Sequence, residues 1–240
     1  IPCWQTLEAS AGQRLALGSA ISGARTYIAF SGGIIAKPFL GSCSTHTMAQ
    51  AGGINGRKLE INDEINIHSS TQTQKFTTPE LIRPPKAKEK YWEIEMVVGP
   101  CDDWISDQGH QLFINSEWIV SPRSNRMGVR LEGPPLDFSS RAIDKAPEHG
   151  SHPSNCVDIG YPVGGINLCG DTPVVLLHEG LTGGGFIVPF TVPSSEFSKV
   201  GQARPHEIFK FKAVSVQQSQ SKRHEINEIC QTKNLRKLGD

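Results

Sequence analysis

With 240 residues, 24 basic and 24 acidic side chains and a formal net charge of zero, the chain is long enough for a sizeable core in one large domain or two small ones. That balance gives no reason to expect a nucleic acid or an anionic membrane as partner, and no basic stripe with interleaved aromatics is present. No run of about 18 apolar residues occurs, the start IPCWQTLEAS lacks the features of a signal peptide, and six cysteines (Cys3, Cys43, Cys101, Cys156, Cys169, Cys230) contain no CxxC, so a soluble, cytoplasmic protein with reduced thiols is expected.

Glycine (24) and proline (16) punctuate short runs rich in Val, Ile and Thr, and few segments hold a helical period, which predicts a mainly β chain with few short helices. In chain order, Gln13 to Leu17 and Arg25 to Phe30 alternate and read as short strands closed by glycines. Ala51 to Gly56 reads as a turn, with strand pieces at Lys58 to Glu60 and Glu64 to Ile67. His68 to Lys90 is polar, carries three prolines and reads as a linker. Tyr91 to Val98 alternates as a half-exposed strand and opens a second unit. A short helix is expected over Asp102 to Gln111, capped by Asp102 or Asp103, then strand over Leu112 to Val120 and a turn at Ser121 to Asn125.

In SNRMGVRLEGP, from Ser124 to Pro134, Met127, Val129 and Leu131 alternate with Gly128, Arg130 and Glu132. One face is apolar. On the other, Gly128 leaves room for a ligand or a backbone, and Arg126 and Arg130 offer donor forks to an anion, or else pair with Glu132 and Glu117 as a solvated sheet surface. The long loop from Pro135 to Val157 contains APEHGSHPSN. Pro162 to Leu168 and Val174 to Leu177 read as a hairpin about Gly170 and Asp171. Beyond HEGLTGGGF come a strand over Ile187 to Val192, a short helix from Ser194 or Ser195 with Glu196, a last strand from Ile208 to Val216 and a polar tail over 217–240, helical in part.

Three constellations could carry chemistry. The glycines of Gly180 to Gly185 could converge backbone N–H groups as an oxyanion nest, or simply form a turn, with His178 and Glu179 beside it. His149, His152 and Glu148 lack a further announced ligand, so no metal is expected; His152, Ser154 and Asn155 instead offer donors and acceptors to an amide or urea-like group, or only shape a turn. No GxSxG elbow and no cysteine with a basic neighbour supports nucleophilic catalysis.

The motifs SNRMGVRLEGP, HPSN, GGINLCGDTPVVLLHEGLTGGGFIVPFTV from Gly164 and VGQARPHEIFKF from Val200 occur in the order of a known family. With AGQRLALG at Ala11, GARTYIAFSGGI at Gly23 and LGSCST at Leu40, the chain resembles the A and B subdomains of the biotin-dependent carboxyltransferase domain of urea carboxylase and urea amidolyase. The superfamily also includes the C subunit of 5-oxoprolinase and allophanate hydrolase subunit 2. The resemblance implies a cyclophilin-like β-barrel with a smaller N-terminal β subdomain: 1–67 as a remnant of subdomain A, 68–90 as linker and 91–216 as subdomain B. It further implies carboxyl transfer from carboxybiotin on a separate carrier to urea, giving allophanate, with a second carboxyltransferase half (C and D subdomains) and ATP used only by partner domains.

In that reading the catalytic residues are Asn125, Arg126, Arg130, His152 and Glu179, and the substrate-binding residues are Gly128, Ser154, Asn155, Thr182, Gly183, Gly184 and Gly185. The alternative is a component of an ATP-dependent amide hydrolase resembling the C subunit of 5-oxoprolinase, or a diverged non-catalytic binding subunit. The chain carries EGLTGGGF where relatives have DGPSLGGF, a longer carboxylate at Glu179. It begins well inside the family domain and has no Met-Lys biotinylation motif, so alone it is expected to be inactive, as a fragment or a diverged copy.

Overall fold

Trp92, Ile94 and Met96 all turn inward from one face of Tyr91–Val98, so the alternation in the sequence becomes a wall of the core. The computed structural model describes residues 3–71 and 74–238. In chain order the strands are β1 (Phe76–Thr77), β2 (Tyr91–Val98), β3 (Trp118–Val120), β4 (Gly128–Glu132), β5 (Asn155–Gly160), β6 (Gly165–Cys169), β7 (Thr172–Leu176), β8 (Gly183–Phe186), β9 (Phe190–Thr191), β10 (Ile208–Ala213) and β11 (Arg236–Lys237). The helices are α1 (Asp107–Asn115), α2 (Ser140–Ile143), α3 (Phe197–Gln202) and α4 (Val216–Ile229). Among the described residues no helix is long and apolar enough to cross a membrane.

Two compact units are present: Ile1–Arg25 with Thr77–Arg236, and Thr26–Phe76 with Lys237–Asp240. The first contains a closed barrel in the order β10-β2-β9-β6-β7-β4-β3. All of its pairings are antiparallel except that of β10 with β2, which runs parallel from Ile208 opposite Tyr91 to Ala213 opposite Met96. This is the mainly β architecture with few short helices that the composition predicts. In the second unit, β pairing takes the form of isolated bridges, Ile34 with Ile67, Lys37 with Gly53 and His46 with Ala51.

Phe113 of α1 plugs the barrel. Its ring stacks on Phe190 at 4.3 Å and on Phe211 at 4.7 Å, and lies 5.0 Å from Trp118. Trp118 in turn donates its indole N–H to the Phe113 carbonyl at 2.9 Å, so the largest buried side chain has no unsatisfied polar atom. Such aromatic pairs add about 0.5–1.5 kcal/mol each beyond the area they bury.

Several expected elements differ. No strand forms over Gln13 to Leu17 or Arg25 to Phe30, because Leu15, Leu17, Tyr27, Ile28 and Phe30 remain exposed and no ladder partner lies alongside. The helix expected from Asp102 starts instead at Asp107, with Ser106 as the cap accepting the Gly109 N–H at 3.0 Å. It runs on to Asn115, so only Trp118–Val120 of the Leu112 to Val120 stretch is strand. Ile187 to Val192 is buried but is strand only at β9, and the last strand stops at Ala213. The stretch from His68 to Lys90 carries β1 and a 3-10 turn at Glu80–Ile82; Gln72 and Thr73 lie outside the described residues. Val216–Ile229 is a full helix, started by a capping box in which Ser215 and Gln218 satisfy each other's backbone N–H groups; Gly239 and Asp240 lie outside the described residues.

Candidate functional site

The turn before β4 is built by one carboxamide. Oδ1 of Asn125 accepts the N–H of Met127 at 2.8 Å and of Gly128 at 3.4 Å, and the Asn125 N–H donates to the Gly128 carbonyl at 3.1 Å. Those N–H donors identify the oxygen, and Nδ2 points elsewhere without a partner among the described residues. A second turn follows β7: Leu177 N–H donates to Met127 carbonyl at 2.9 Å and Gly180 N–H to Leu177 carbonyl at 2.8 Å. That backbone bond between the turns lets Arg126 and Glu179 meet as an ion pair, the arginine exposed and the glutamate largely covered. The Glu179 carboxylate is therefore committed to a guanidinium. Arg130, on the outer face of β4, is exposed and its fork has no partner among the described residues.

Gly128 lies on that same face but under cover. A methyl there would sit 2.7 Å from Cγ1 of Val174 on the neighbouring β7 strand, so the room it was expected to leave for a ligand is filled by the barrel itself.

The HPSN segment closes on itself. Asn155 N–H donates to the His152 carbonyl at 2.9 Å, and His152 N–H donates to Oδ1 of Asn155 at 3.0 Å, which again leaves Nδ2 of the asparagine without a partner among the described residues. Nδ1 of His152 accepts the Ser154 N–H at 3.1 Å and lies 2.9 Å from Ser154 Oγ, which places the proton of the neutral ring on Nε2, 3.7 Å from Asp171 Oδ1. Asp171, His152 and Ser154 thus fall in the order of a catalytic triad, but Ser154 is fully buried and its hydroxyl is a strut for the ring, not a nucleophile. His149 accepts the Val157 N–H on Nδ1 at 3.1 Å, so both histidines spend a ring nitrogen on the backbone, and among the described residues no group of three or more His, Cys, Asp or Glu is placed to hold a metal ion. His178 packs edge-on to Phe197 at 5.5 Å.

Gly183, Gly184 and Gly185 form strand β8 rather than a nest. They pair antiparallel with β5, Gly184 opposite Ile159 and Phe186 opposite Asn155. None has a positive φ, and an extended strand sends successive N–H groups to opposite edges, so they do not converge on one anion. The Thr182 carbonyl accepts the Tyr161 N–H at 2.8 Å. Tyr161 folds back across Gly184, its phenol oxygen accepting the Phe186 N–H at 2.9 Å, and Asn167 Nδ2 donates to the Phe186 carbonyl at 3.4 Å. Burial pushes the Tyr161 phenol up, and the hydrogen bonds from Phe186 and Asn167 oppose it.

β8 therefore joins the two clusters. Asn125, Arg126 and Glu179 lie beyond its first residue, and His152, Ser154 and Asn155 lie at its last, where Ile187 N–H also donates to the Ser154 carbonyl at 2.9 Å. Four residues of strand span roughly 10–13 Å. The sequence alone singles out neither Tyr161 nor Asn167 nor Lys145, which donates to the carbonyls of both His152 and Asn155; the one local hint is the lysine soon after the short helix α2, at the mouth of the long loop. Near Lys145, burial and then the proximity of Cys101 push the Cys156 thiol up to about 11, so it is an inert core group.

Residues 1–213 match the family described as carboxyltransferase domain, subdomain A and B. The urea amidolyase of Saccharomyces cerevisiae is 35% identical over 228 residues, which cover 92% of this chain and 12% of that protein. The C subunit of the Escherichia coli 5-oxoprolinase is 32% identical over 183 residues, 75% of this chain and 53% of that one. The crystal structure of the Kluyveromyces lactis urea carboxylase superposes with a TM-score of 0.79 at 31% identity, over 93% of this chain and 21% of that chain. The chain thus spans only a small part of the yeast proteins it matches.

Proposed function

Since the chain belongs to the carboxyltransferase family, subdomains A and B, we propose that it forms one half of a urea carboxylase-type carboxyltransferase, with residues 91–216 as subdomain B, working in the cytoplasm with a second carboxyltransferase half and a biotinylated carrier. The observation that carries this reading is the set of donors left over at the turns on either side of β8 and on the outer face of β4. Nδ2 of Asn125, Nδ2 of Asn155 and the guanidinium of Arg130 are without partners among the described residues, because the local turns use only the oxygens of the two asparagines.

Those donors suit a small neutral amide and an anionic oxygen. Carboxybiotin, when bound, supplies an already activated carboxyl group, so the chain need not provide a nucleophile. Its residues have to hold urea, orient it and favour negative charge where it develops. Asn155 donates to the urea carbonyl, and Asn125, beyond the other end of β8, donates to a carboxylate or ureido oxygen, as does Arg130 through its fork. Glu179 steadies Arg126 for the same task and does not act as a base. His152 holds a proton on Nε2, which faces Asp171 Oδ1 at 3.7 Å, and can pass it at that atom, with Ser154 fixing the ring through Nδ1. Gly183 and Gly185 bring backbone without side chains toward urea, Gly184 seats the Tyr161 ring that fixes their path, and Thr182 enters the strand next to them. ATP is consumed only by partner domains.

The test supplies the chain with the second half and the carrier and measures urea-dependent turnover of carboxybiotin. Turnover above that of the partners alone is expected, and its absence overturns the reading. The likeness to the C subunit of 5-oxoprolinase supports a second reading, a component of an ATP-dependent amide hydrolase, which 5-oxoproline turnover without biotin would favour.

A further inference from the structure

Lys145 follows α2 and is half-buried, with its Nζ 5.6 Å from the centre of the Trp104 ring. Its ammonium donates to two backbone carbonyls, those of His152 and of Asn155, the latter at 2.6 Å. No carboxylate pairs with it among the described residues, and burial pulls its ionisation below that of a free lysine, with Cys156 opposing the shift. The two carbonyls and the Trp104 ring, and no counter-ion among the described residues, hold the ammonium in place. The two carbonyls are the first and last of HPSN, so a single charge clamps both ends of the turn that aims the His152 ring and the Asn155 carboxamide.

We propose that Lys145 is a positioning residue for the carboxyltransferase site, setting His152 and Asn155 through their backbone carbonyls without itself touching substrate. The proposal rests on the reading of His152 and Asn155 as site residues. A charged donor is needed because the Asn155 N–H already occupies the His152 carbonyl, and a neutral group would have to compete for its remaining lone pair. Loss of the clamp frees the segment to rotate while the barrel, whose core contains no part of Lys145, stays folded. Misplacement by about 1 Å is enough to cost roughly 100-fold in rate.

The experiment compares wild type, Lys145→Met and Lys145→Arg in the whole chain by two readouts. The first is the ring 15N spectrum of His152, which distinguishes a proton fixed on Nε2 from one exchanging between both nitrogens. The second is kcat/KM for urea-dependent turnover with the second half and the carrier. Wild type and Lys145→Arg are expected to keep the Nε2–H signature, and Lys145→Met to average it with an unchanged far-ultraviolet spectrum. Turnover is expected to fall about 100-fold in Lys145→Met and to return to within about tenfold of wild type in Lys145→Arg. A wild-type signature in Lys145→Met, or an arginine variant no better than the methionine variant by the ring spectrum, overturns the role of Lys145. If wild type itself shows no urea-dependent turnover, the functional reading fails, while the ring spectra still decide for or against the clamp.

Discussion

Gly184 lies directly beneath Tyr161: a methyl group on Gly184 would stand 2.9 Å from the phenol oxygen and 3.2 Å from the ring. The same phenol oxygen accepts the Phe186 N–H, so the contact fixes the path of β8 between the two clusters of the site.

Gly184→Ala is therefore expected to push the ring off the strand and break that hydrogen bond. Overpacking of this kind costs about 1–3 kcal/mol, to be read from the midpoint of urea or guanidinium unfolding. Tyr161→Phe keeps the ring and removes only the acceptor. It should cost less than Gly184→Ala, and an equal loss in the two variants would rule out the steric account.

Gly128 offers a cleaner separation of packing from ligand binding. Gly128→Ala drives a methyl into Val174, and about 1–3 kcal/mol of destabilisation is expected without any ligand present. Trimming the neighbour should recover part of it. In a double-mutant cycle, Gly128→Ala with Val174→Ala is expected to lose less than the sum of the single changes, with a coupling of about 0.5–3 kcal/mol. Strict additivity would show that Val174 is not the obstacle.

Arg130 stands exposed, and its fork has no partner among the described residues, so Arg130→Ala should leave the stability within about 0.5 kcal/mol of wild type. If Arg130 holds an anionic oxygen, urea-dependent turnover falls by tenfold to a hundredfold, the equivalent of a charged hydrogen bond of about 1.5–3 kcal/mol. Unchanged turnover together with intact assembly would support the non-catalytic binding role instead.

The acid limb of stability should report Glu196. This fully buried carboxylate takes Lys222 on Oε1 at 2.7 Å and Lys199 on Oε2 at 2.6 Å, with the Glu95 N–H at 3.1 Å. Burial would raise its pKa, but the two ammonium groups and the N–H outweigh that and lower it. A carboxyl lowered on folding contributes stability above its unfolded value of about 4.3 and loses it as pH falls through the folded value. For Lys222, burial works against the charge, yet Glu196 and Glu95 raise its pKa, so its contribution is complete below about 10.4 and is lost as pH rises through the raised value. Glu196→Gln is expected to cost about 3–5 kcal/mol at pH 7, as for one partner removed from a buried pair, and to flatten the decline between pH 5 and pH 3. A parallel decline in variant and wild type would assign the acid limb to other groups.

Elements that depend on their own residues were legible in the sequence. β2 and β4 alternate because one face of each is sealed by the barrel, and the β6–β7 hairpin is marked by Gly170 in the left-handed region at φ 65°. The turns at Asn125 and at HPSN were equally readable, since each asparagine bonds within three residues of itself. What stayed hidden depends on distant partners. Leu112, Phe113 and Ile114 look like strand, and they continue a helix because Phe113 has to reach Phe190 and Phe211 inside the barrel. The glycines of β8 look like a turn until β5 pairs with them, and nothing near Lys145 or Tyr161 announces the carbonyls and the N–H they serve. The strands expected before Ser31 failed for the opposite reason, since their periodicity found no neighbour.

The parallel pairing of β10 with β2 has a bearing on synthesis. β10 is the last barrel strand to leave the ribosome, yet it must slot between β2 and β3, both made about a hundred residues earlier. Until Ala213 emerges, those two strands present open edges to the cell, and their loop-closure cost is met only at the end. From the completion of β2 at Val98 until Ala213 emerges, the nascent chain thus carries edges that are open to aggregation, an exposure that no single contact in the finished barrel reveals.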